Sequence, residues 1–280
     1  MNYQWYPGHM TKAKRQMQED IKLIDLIIEV VDARIPLSSR NPDIDELGKN
    51  KARMVLLNKS DLADPAINKQ WVEYFKEKGI HTLEVNSKTG MGLKAIQGTV
   101  KEACKEKIER DRKRGIKNRP VRAMVVGIPN VRKSTFINSF AGKACAKTGN
   151  KPGVTKGKQW IKLNKELELL DTPGILWPKF EDQATGMRLA FIGSINDEIL
   201  VMEELATDFI RYITGIYPKA ICDHYGVDET TPADHHMLEQ IAIARKCLVA
   251  GGEPDIAKAA RMLMDDYRGG RLGKITLERP

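Results

Sequence analysis

The sequence predicts an α/β domain with a mostly parallel sheet covered by helices on both faces, followed by a small all-helical domain. Two observations lead to this prediction. Dense β-branched runs alternate with helical patterns as far as residue 171, which is typical of a parallel sheet. From about residue 197 onward, the apolar residues repeat at helical spacing. We therefore divide the chain into residues 1–196 and 197–280.

The elements of the first domain follow from apolar periodicity and from breakers. A helix capped by Thr11 is predicted to run to about Leu23. Four buried strands come next, with helices over about 65–78 and 93–114 separating the last three. The predicted strands lie at 25–34, 53–61, 80–90 and 121–127. A helix begins at Lys133, and residues 159–163 and 166–171 are predicted to be antiparallel neighbours.

Three helices are predicted in the second domain. Gly215 is expected to end the first of them, and Thr231 to cap the second with Pro232 at its first turn. The third helix carries an apolar stripe at helical spacing, formed by Ile256, Ala260, Leu263 and Tyr267.

Composition narrows the function classes. The net charge of +9 favours a polyanionic partner such as nucleic acid, although simple solubility also explains it. The basic stretch 101–122 is equally compatible with an RNA contact and with a solvated helix face. The four cysteines form no C-x-x-C pair, which disfavours a zinc site or disulfides. With no signal peptide and no long apolar run, we expect a cytoplasmic protein with no membrane contact.

The stretch "GIPNVRKST" at 127–135 fits the phosphate-loop pattern G-x-x-x-x-G-K-[ST] except at one position. Lys133 is placed to neutralise β- and γ-phosphate charge, and Ser134 to coordinate Mg²⁺. Arg132 occupies the slot of the second glycine, where a bare backbone normally approaches the phosphates. We therefore predict weakened nucleotide affinity or turnover. The predicted nucleotide-binding residues of this loop are Gly127, Asn130, Val131, Arg132, Lys133, Ser134 and Thr135.

Two other strand tips carry side chains suited to guanine, at the edge where ligands bind an open parallel sheet. In "NKSD", the Asp61 carboxylate can accept from the N1–H and 2-amino group of guanine, a donor pair that adenine lacks. Asn58 can connect this loop to the phosphate loop, and the stem of Lys59 can cover the base. In "NSK", which begins at Asn86, the backbone amides of Ser87 and Lys88 can meet the guanine carbonyl oxygen.

The metal side of the site is predicted from two further segments. In "DTPG", Asp171 is placed to hold a magnesium-bound water, and the amide of Gly174 to face a γ-phosphate. Thr155, in "KPGVTKGKQW", can close over the metal when that phosphate is present. Each short motif is weak alone, but together, each at the end of a strand, they predict a guanine-nucleotide domain.

The order of these motifs is that of a circularly permuted GTPase. In this chain N-K-x-D and N-S-K come before the phosphate loop, Thr155 and D-T-P-G. In a standard GTPase the two base-recognition motifs come last. The sheet can stay the same because only the connections between strands move. The segment after Gly174, which responds to γ-phosphate, then leads directly into the helical domain.

The chain resembles the circularly permuted GTPases of ribosome assembly, in particular the ribosome biogenesis GTPase A group, over essentially its whole length. The matching segments include "WYPGHMTKAKRQM", "VDARIPLSSRNP" and "LLDTPGILWPKFED". The resemblance implies a GTP-hydrolysing factor that binds the precursor of the large (50S) ribosomal subunit, with its rRNA and ribosomal proteins, and is released on hydrolysis. It also implies an RNA-contacting domain at 197–280 and a monomer away from the ribosome.

The resemblance also implies roles for two residues. Ile175 and Leu176 stand where many GTPases have a water-orienting glutamine, and the implied substitute is His9. Asn130 matches the asparagine with which potassium-dependent relatives hold K⁺. The alternatives are a packing role for His9 and a turn role for Asn130. Two rival functions remain: a GTPase-fold RNA-binding protein that does not hydrolyse, because of Arg132, and a GTPase of tRNA modification.

Overall fold

The computed structural model describes residues 9–116, 119–142, 159–172 and 182–280, with side chains described from Arg15 onward and not at Gln159. It forms two compact units. The first contains the described residues up to 172 together with the final segment Glu278–Pro280, and the second contains residues 182–277. The predicted division at residue 197 therefore falls inside the second unit.

The first unit is built on one sheet in the order β3-β2-β1-β4-β6-β5. Neighbouring strands are parallel, except that β5 runs antiparallel to β6, as predicted. β1 and β2 are in register with Asp32 opposite Asn58, so their polar ends meet at one edge. The strands are β1 (Leu26–Asp32), β2 (Ala52–Asn58), β3 (His81–Glu84), β4 (Val121–Val126), β5 (Gln159–Lys162) and β6 (Leu167–Asp171).

Helices cover this sheet, and they differ from the prediction at α1, at the unpredicted short helix α2 and at Cys104. α1 begins at His9 rather than after Thr11, next to the helix breakers Pro7 and Gly8 of the sequence. The helix predicted over 93–114 is interrupted at Cys104, whose ψ of 13° departs from the α-helical value. The helices are α1 (His9–Asp20), α2 (Asp43–Leu47), α3 (Pro65–Glu77), α4 (Ile96–Ala103), α5 (Lys105–Lys113) and α6 (Lys133–Ala141).

The core of the first unit lies between the sheet and its helices. β1 is buried along its whole length, as expected for a strand covered on both faces. α3 contributes Trp71 and Phe75, which pack on Val55 and Leu57 of β2. Burying each such aromatic side chain contributes about 1.5–3 kcal/mol. α3 begins at Pro65, and the Asp64 carboxylate caps it by accepting from the amide of Ala66.

The last residues of the chain belong to the first unit. The Glu278 carboxylate accepts hydrogen bonds from the amides of Leu37 and Ser38 and from the Ser38 hydroxyl, at 2.6–3.1 Å. The indole of Trp71 donates to the Glu278 carbonyl oxygen at 3.1 Å. The chain therefore leaves the first unit after β6 and returns to it at its end.

The second unit is helical throughout its described elements. Phe191 packs edge-on against Phe209 and Tyr212, which is why the unit begins earlier than predicted. Gly215 lies inside the helix Met202–Ile216 rather than after it. The helix predicted to begin after Thr231 begins at His235 and is capped by Asp234, whose carboxylate accepts from the His236 amide. The helices are α7 (Gln183–Phe191), α8 (Met202–Ile216), α9 (Ala220–Tyr225), α10 (His235–Ala244) and α11 (Ile256–Gly269).

The predicted stripe of α11 is largely confirmed, since Ala260, Leu263 and Tyr267 are buried while Ile256 is half-buried. Among the residues that the structure describes, no helix is long and apolar enough to cross a membrane.

Candidate nucleotide site

The phosphate loop joins the buried end of β4 to the first turn of α6. Gly127, its first residue, is required by packing. A Cβ there would lie 2.7 Å from the Val30 carbonyl oxygen and 3.0 Å from Cγ2 of Val131. Contacts this short do not occur between a real Cβ and backbone oxygen, so any larger residue would push the loop away from β1.

Arg132 adopts the conformation for which glycine is favoured. Its φ and ψ are 64° and 35°, in the left-handed region, at the N-terminal cap of α6. For a residue with a Cβ, the left-handed conformation costs about 1–2 kcal/mol of conformational free energy. Asn130 is also left-handed, with a φ of 65°, but asparagine tolerates this conformation better than most residues. The structure thus places strain at the position where the sequence departs from the motif.

Lys133 and Asp171 form a buried ion pair between the first turn of α6 and the end of β6. Burial lowers the pKa of Lys133, and the Asp171 carboxylate acts against this shift. The other oxygen of Asp171, Oδ2, is buried with no hydrogen-bond partner among the described atoms. A buried carboxylate oxygen without a donor is suited to a magnesium-bound water. The half-buried Ser134, next to Lys133 in the first turn of α6, offers a hydroxyl oxygen that can hold this ion.

Asn58 joins the base side of the site to the phosphate side. Its Nδ2 donates to the Val131 carbonyl oxygen at 2.7 Å, so it makes the connection expected of it. Its Oδ1 accepts from the amide and hydroxyl of Ser87 at 3.0 and 2.8 Å. Ser139, on α6, donates to the Ser87 carbonyl oxygen at 2.6 Å. One buried asparagine and one serine thereby hold three strand tips together.

The base-side amides are already used within these loops. The Ser87 amide donates to Asn58, and the Lys88 amide donates to Oδ1 of Asn86 at 2.9 Å. A guanine carbonyl oxygen would have to share or replace these bonds, which the sequence did not reveal. Asp61 is exposed, and its carboxylate has no hydrogen-bond partner among the residues described, so it is available to accept from a base.

Lys59 is held by a carboxylate from the neighbouring strand. Its ammonium lies 2.8 Å from Oδ2 of Asp32. The same carboxylate accepts two side-chain bonds from Arg34, from Nε to Oδ1 and from Nη2 to Oδ2, each at 2.9 Å. Burial lowers the pKa of Lys59 to about 8, and the positive charges of Arg34 and Arg132 add to this effect. The two cations keep the pKa of Asp32 far below its usual range despite burial. The register that brings Asp32 beside Lys59 is a property of the sheet, so local sequence could not predict it.

Three predicted site residues cannot be placed, because Thr155, Gly174 and the side chain of His9 lie outside the described part of the chain. His9 is the first residue of α1. The half-buried Thr135 follows Ser134 in the first turn of α6. His235 and His236 lie in the second unit, where both are exposed beside Asp234, whose carboxylate already caps α10.

Comparison with known proteins gives consistent results. Residues 122–242 match the family described as "50S ribosome-binding GTPase". Ribosome biogenesis GTPase A of Bacillus cereus is 50% identical over 280 residues, covering 100% of this chain and 95% of the relative. Mitochondrial ribosome-associated GTPase 1 of Mus musculus is 36% identical, covering 98% of this chain and 90% of its own length.

A solved structure extends the comparison to the fold. The crystal structure of GNP-bound YlqF from T. maritima superposes with a TM-score of 0.67 at 29% identity, covering 96% of this chain and 98% of that one. The sheet, the phosphate loop and the motif order thus define a circularly permuted P-loop GTPase. The chain belongs to the ribosome biogenesis GTPase A family, as its motifs predicted.

Proposed function

We propose that this protein binds GTP, hydrolyses it, and uses the cycle in assembly of the large ribosomal subunit. The observation that supports this most directly is the hydrogen bonding of Asn58 to both Val131 and Ser87. A base loop and a phosphate loop fixed to each other can recognise both ends of one nucleotide. The ribosomal partner is proposed from the ribosomal functions for which the relatives are named.

The predicted site residues supply distinct parts of the reaction. Asp61 selects guanine by accepting from its two adjacent donors. Lys133 exchanges its contact with Asp171 for the β- and γ-phosphates, which need positive charge in the transition state. Magnesium, when bound, neutralises phosphate charge. Ser134 and Thr155 would hold it directly, and Asp171 through a water.

Two parts of the proposal rest on the family resemblance. His9 would orient the attacking water, since the residues after D-T-P-G are apolar. Asn130 would hold K⁺ beside the phosphates, in place of an arginine finger. We also propose ribosome contact through residues 197–280, release after hydrolysis, and a cytoplasmic monomer away from the ribosome.

A second candidate is a GTPase-fold RNA-binding protein with little or no hydrolysis. The left-handed backbone at Arg132 favours it, because strain and a long side chain lie where the phosphates approach. Nothing comparable favours a role in tRNA modification, since the relatives compared above carry ribosome-related names.

Measuring GTP turnover in potassium buffer, with and without 50S subunits, tests these functions. We expect slow basal turnover that 50S subunits stimulate and that falls when sodium replaces potassium. GTP binding without turnover in either condition would favour the non-hydrolysing alternative. Turnover that 50S subunits leave unchanged would contradict the ribosome-activated proposal.

A further inference from the structure

Positive charge is distributed unevenly along the chain. The helical unit, residues 182–277, contains ten lysines and arginines against fifteen acidic residues, whereas the rest of the chain contains 36 against 22. The basic excess therefore lies in the GTPase domain, and the helical domain is net acidic. The densest basic stretch is 101–122, with ten basic and four acidic residues. Attraction to a polyanion should be strongest there.

This stretch borders a groove of about 700 Å³ at the amino-terminal ends of β4 and β6. Lys105, Ile108 and Arg112 line it from one face of α5, at the three- and four-residue spacing of a helical stripe. Lys101, four residues before Lys105, also lines the groove, and Lys165 lines it from the β5–β6 turn. The four basic side chains in this set are exposed.

The cations of the groove fall into two groups. Lys107 and Arg119 form ion pairs with Asp25 and Asp111, so they are neutralised within the fold. Lys101 pairs with Glu166 at 2.9 Å, and both side chains are more than half exposed.

A second group is free of such partners. Lys105, Arg112 and Lys165 have no ion-pair partner among the described residues. Of the acidic residues that line the groove, Glu109 alone likewise has no ion-pair partner among the described residues. The groove therefore presents a net positive surface that the protein itself does not neutralise.

We propose that this groove binds the phosphate backbone of RNA. From Lys105 to Arg112 the stripe extends about 10 Å along α5, enough to follow two or more successive phosphates of one strand. Lysine and arginine at these positions supply charge-assisted hydrogen bonds to phosphate oxygens. The choice of RNA over an acidic protein as the ligand rests on the proposed ribosomal function. The groove would then be a surface through which the protein contacts ribosomal RNA.

The groove is separate from the nucleotide site. Val121 and Leu167, which line it, begin β4 and β6, whereas the phosphate loop and Asp171 lie at the other ends of these strands. At about 3.3 Å per residue, the length of β4 separates the groove from the phosphate loop by about 16 Å. Substitutions in the groove should therefore leave GTP affinity unchanged.

Charge reversal with a matched control tests the proposal. The groove variant is Lys105→Glu with Arg112→Glu. The control is Arg110→Glu with Lys113→Glu, which reverses two exposed charges of the same helix that do not line the groove. The probes are a fluorescein-labelled RNA duplex of about 20 base pairs and its single strand, titrated by anisotropy at several KCl concentrations.

We expect the groove variant to bind RNA at least about tenfold more weakly and to lower the salt slope by about two, while the control changes affinity less than about threefold. The duplex and the single strand distinguish the two sources of phosphate backbone. Equal losses in both variants would overturn the proposal in favour of overall charge. Unchanged RNA binding would overturn it in favour of an acidic protein partner.

Two further measurements keep the result interpretable. The melting temperature and GTP affinity of both variants should match those of the wild type, which excludes misfolding. RNA binding is measured without nucleotide, and GTP turnover is measured in a separate assay. A groove that does not bind RNA and a protein that does not hydrolyse GTP therefore give different results.

Discussion

The Lys59 ammonium lies 2.8 Å from the Asp32 carboxylate, on the neighbouring strand, where Arg34 holds the same carboxylate. The N-K-x-D lysine is thereby fixed by residues outside its own motif. The structure shows the ion pair together with the contact to Lys59, which makes Asp32 a positioning residue for the base side of the proposed site.

Replacing Asp32 should weaken guanine recognition. In Asp32→Asn, Lys59 and Arg34 lose their shared anion, and we expect GDP affinity to fall about tenfold, with a smaller preference over ADP. Removing one member of a buried pair also costs about 3–5 kcal/mol of stability. Calorimetric titration and urea unfolding measure the two effects.

Glu29 is the matched control, because it is buried on the same strand and contacts Arg40 and Arg53. Glu29→Gln should lower stability similarly but leave the preference for GDP unchanged. If both variants lose GDP affinity equally, Asp32 acts only through stability.

The lowered pKa of Lys59 should make stability depend on pH. Folded Lys59 loses its proton near pH 8, whereas the unfolded lysine keeps it to about 10.5. Between these values the unfolded chain binds more protons, so stability rises with pH. From pH 8 to 9.5, this gain is on the order of 1 kcal/mol. Urea unfolding should show a smaller rise in Lys59→Met than in the wild type, because the lowered pKa of Lys133 contributes to both. Parallel pH profiles of the two proteins would contradict the prediction.

Asn58→Ala should separate the base loop from the phosphate loop. The substitution leaves the Val131 carbonyl oxygen and the Ser87 amide without partners, at about 1–3 kcal/mol each. We expect GTP and GDP affinity to fall by at least about tenfold. Asn164→Ala is the control, since Asn164 accepts hydrogen bonds from two backbone amides but lies in the β5–β6 turn. Equal affinities in the two variants would show that the connection is unimportant for binding.

Arg132→Gly should strengthen the phosphate site. Glycine relieves about 1–2 kcal/mol of left-handed strain and opens the approach to the phosphates. We expect tighter GTP binding, faster turnover, or both, measured by fluorescent-nucleotide titration and phosphate release.

Lys246→Gly controls for strain alone, because Lys246 is also left-handed, with a φ of 53°, but lies in the helical unit. It should change stability and leave GTP binding unaltered. Unchanged GTP affinity and turnover in Arg132→Gly would show that arginine is compatible with a fully active loop.

Local sequence predicted the strands and most helices well where apolar periodicity and caps were strong. It missed the break at Cys104, since neither proline nor glycine marks it, and it missed the helices α2, α7 and α9. It placed the start of α10 too early, because Thr231 and Asp234 are both good caps and only the fold shows which carboxylate accepts from an amide.

The sequence alone determined the class of protein and the residue types at each strand tip, because motifs of this kind are encoded by neighbours in the chain. Tertiary structure decided which tips touch. Asn58 reaches Val131, Asp32 holds Lys59, and Glu278 returns to Ser38, across separations of 73, 27 and 240 residues. Such contacts depend on strand order and register, which arise from packing of the whole sheet rather than from any local pattern.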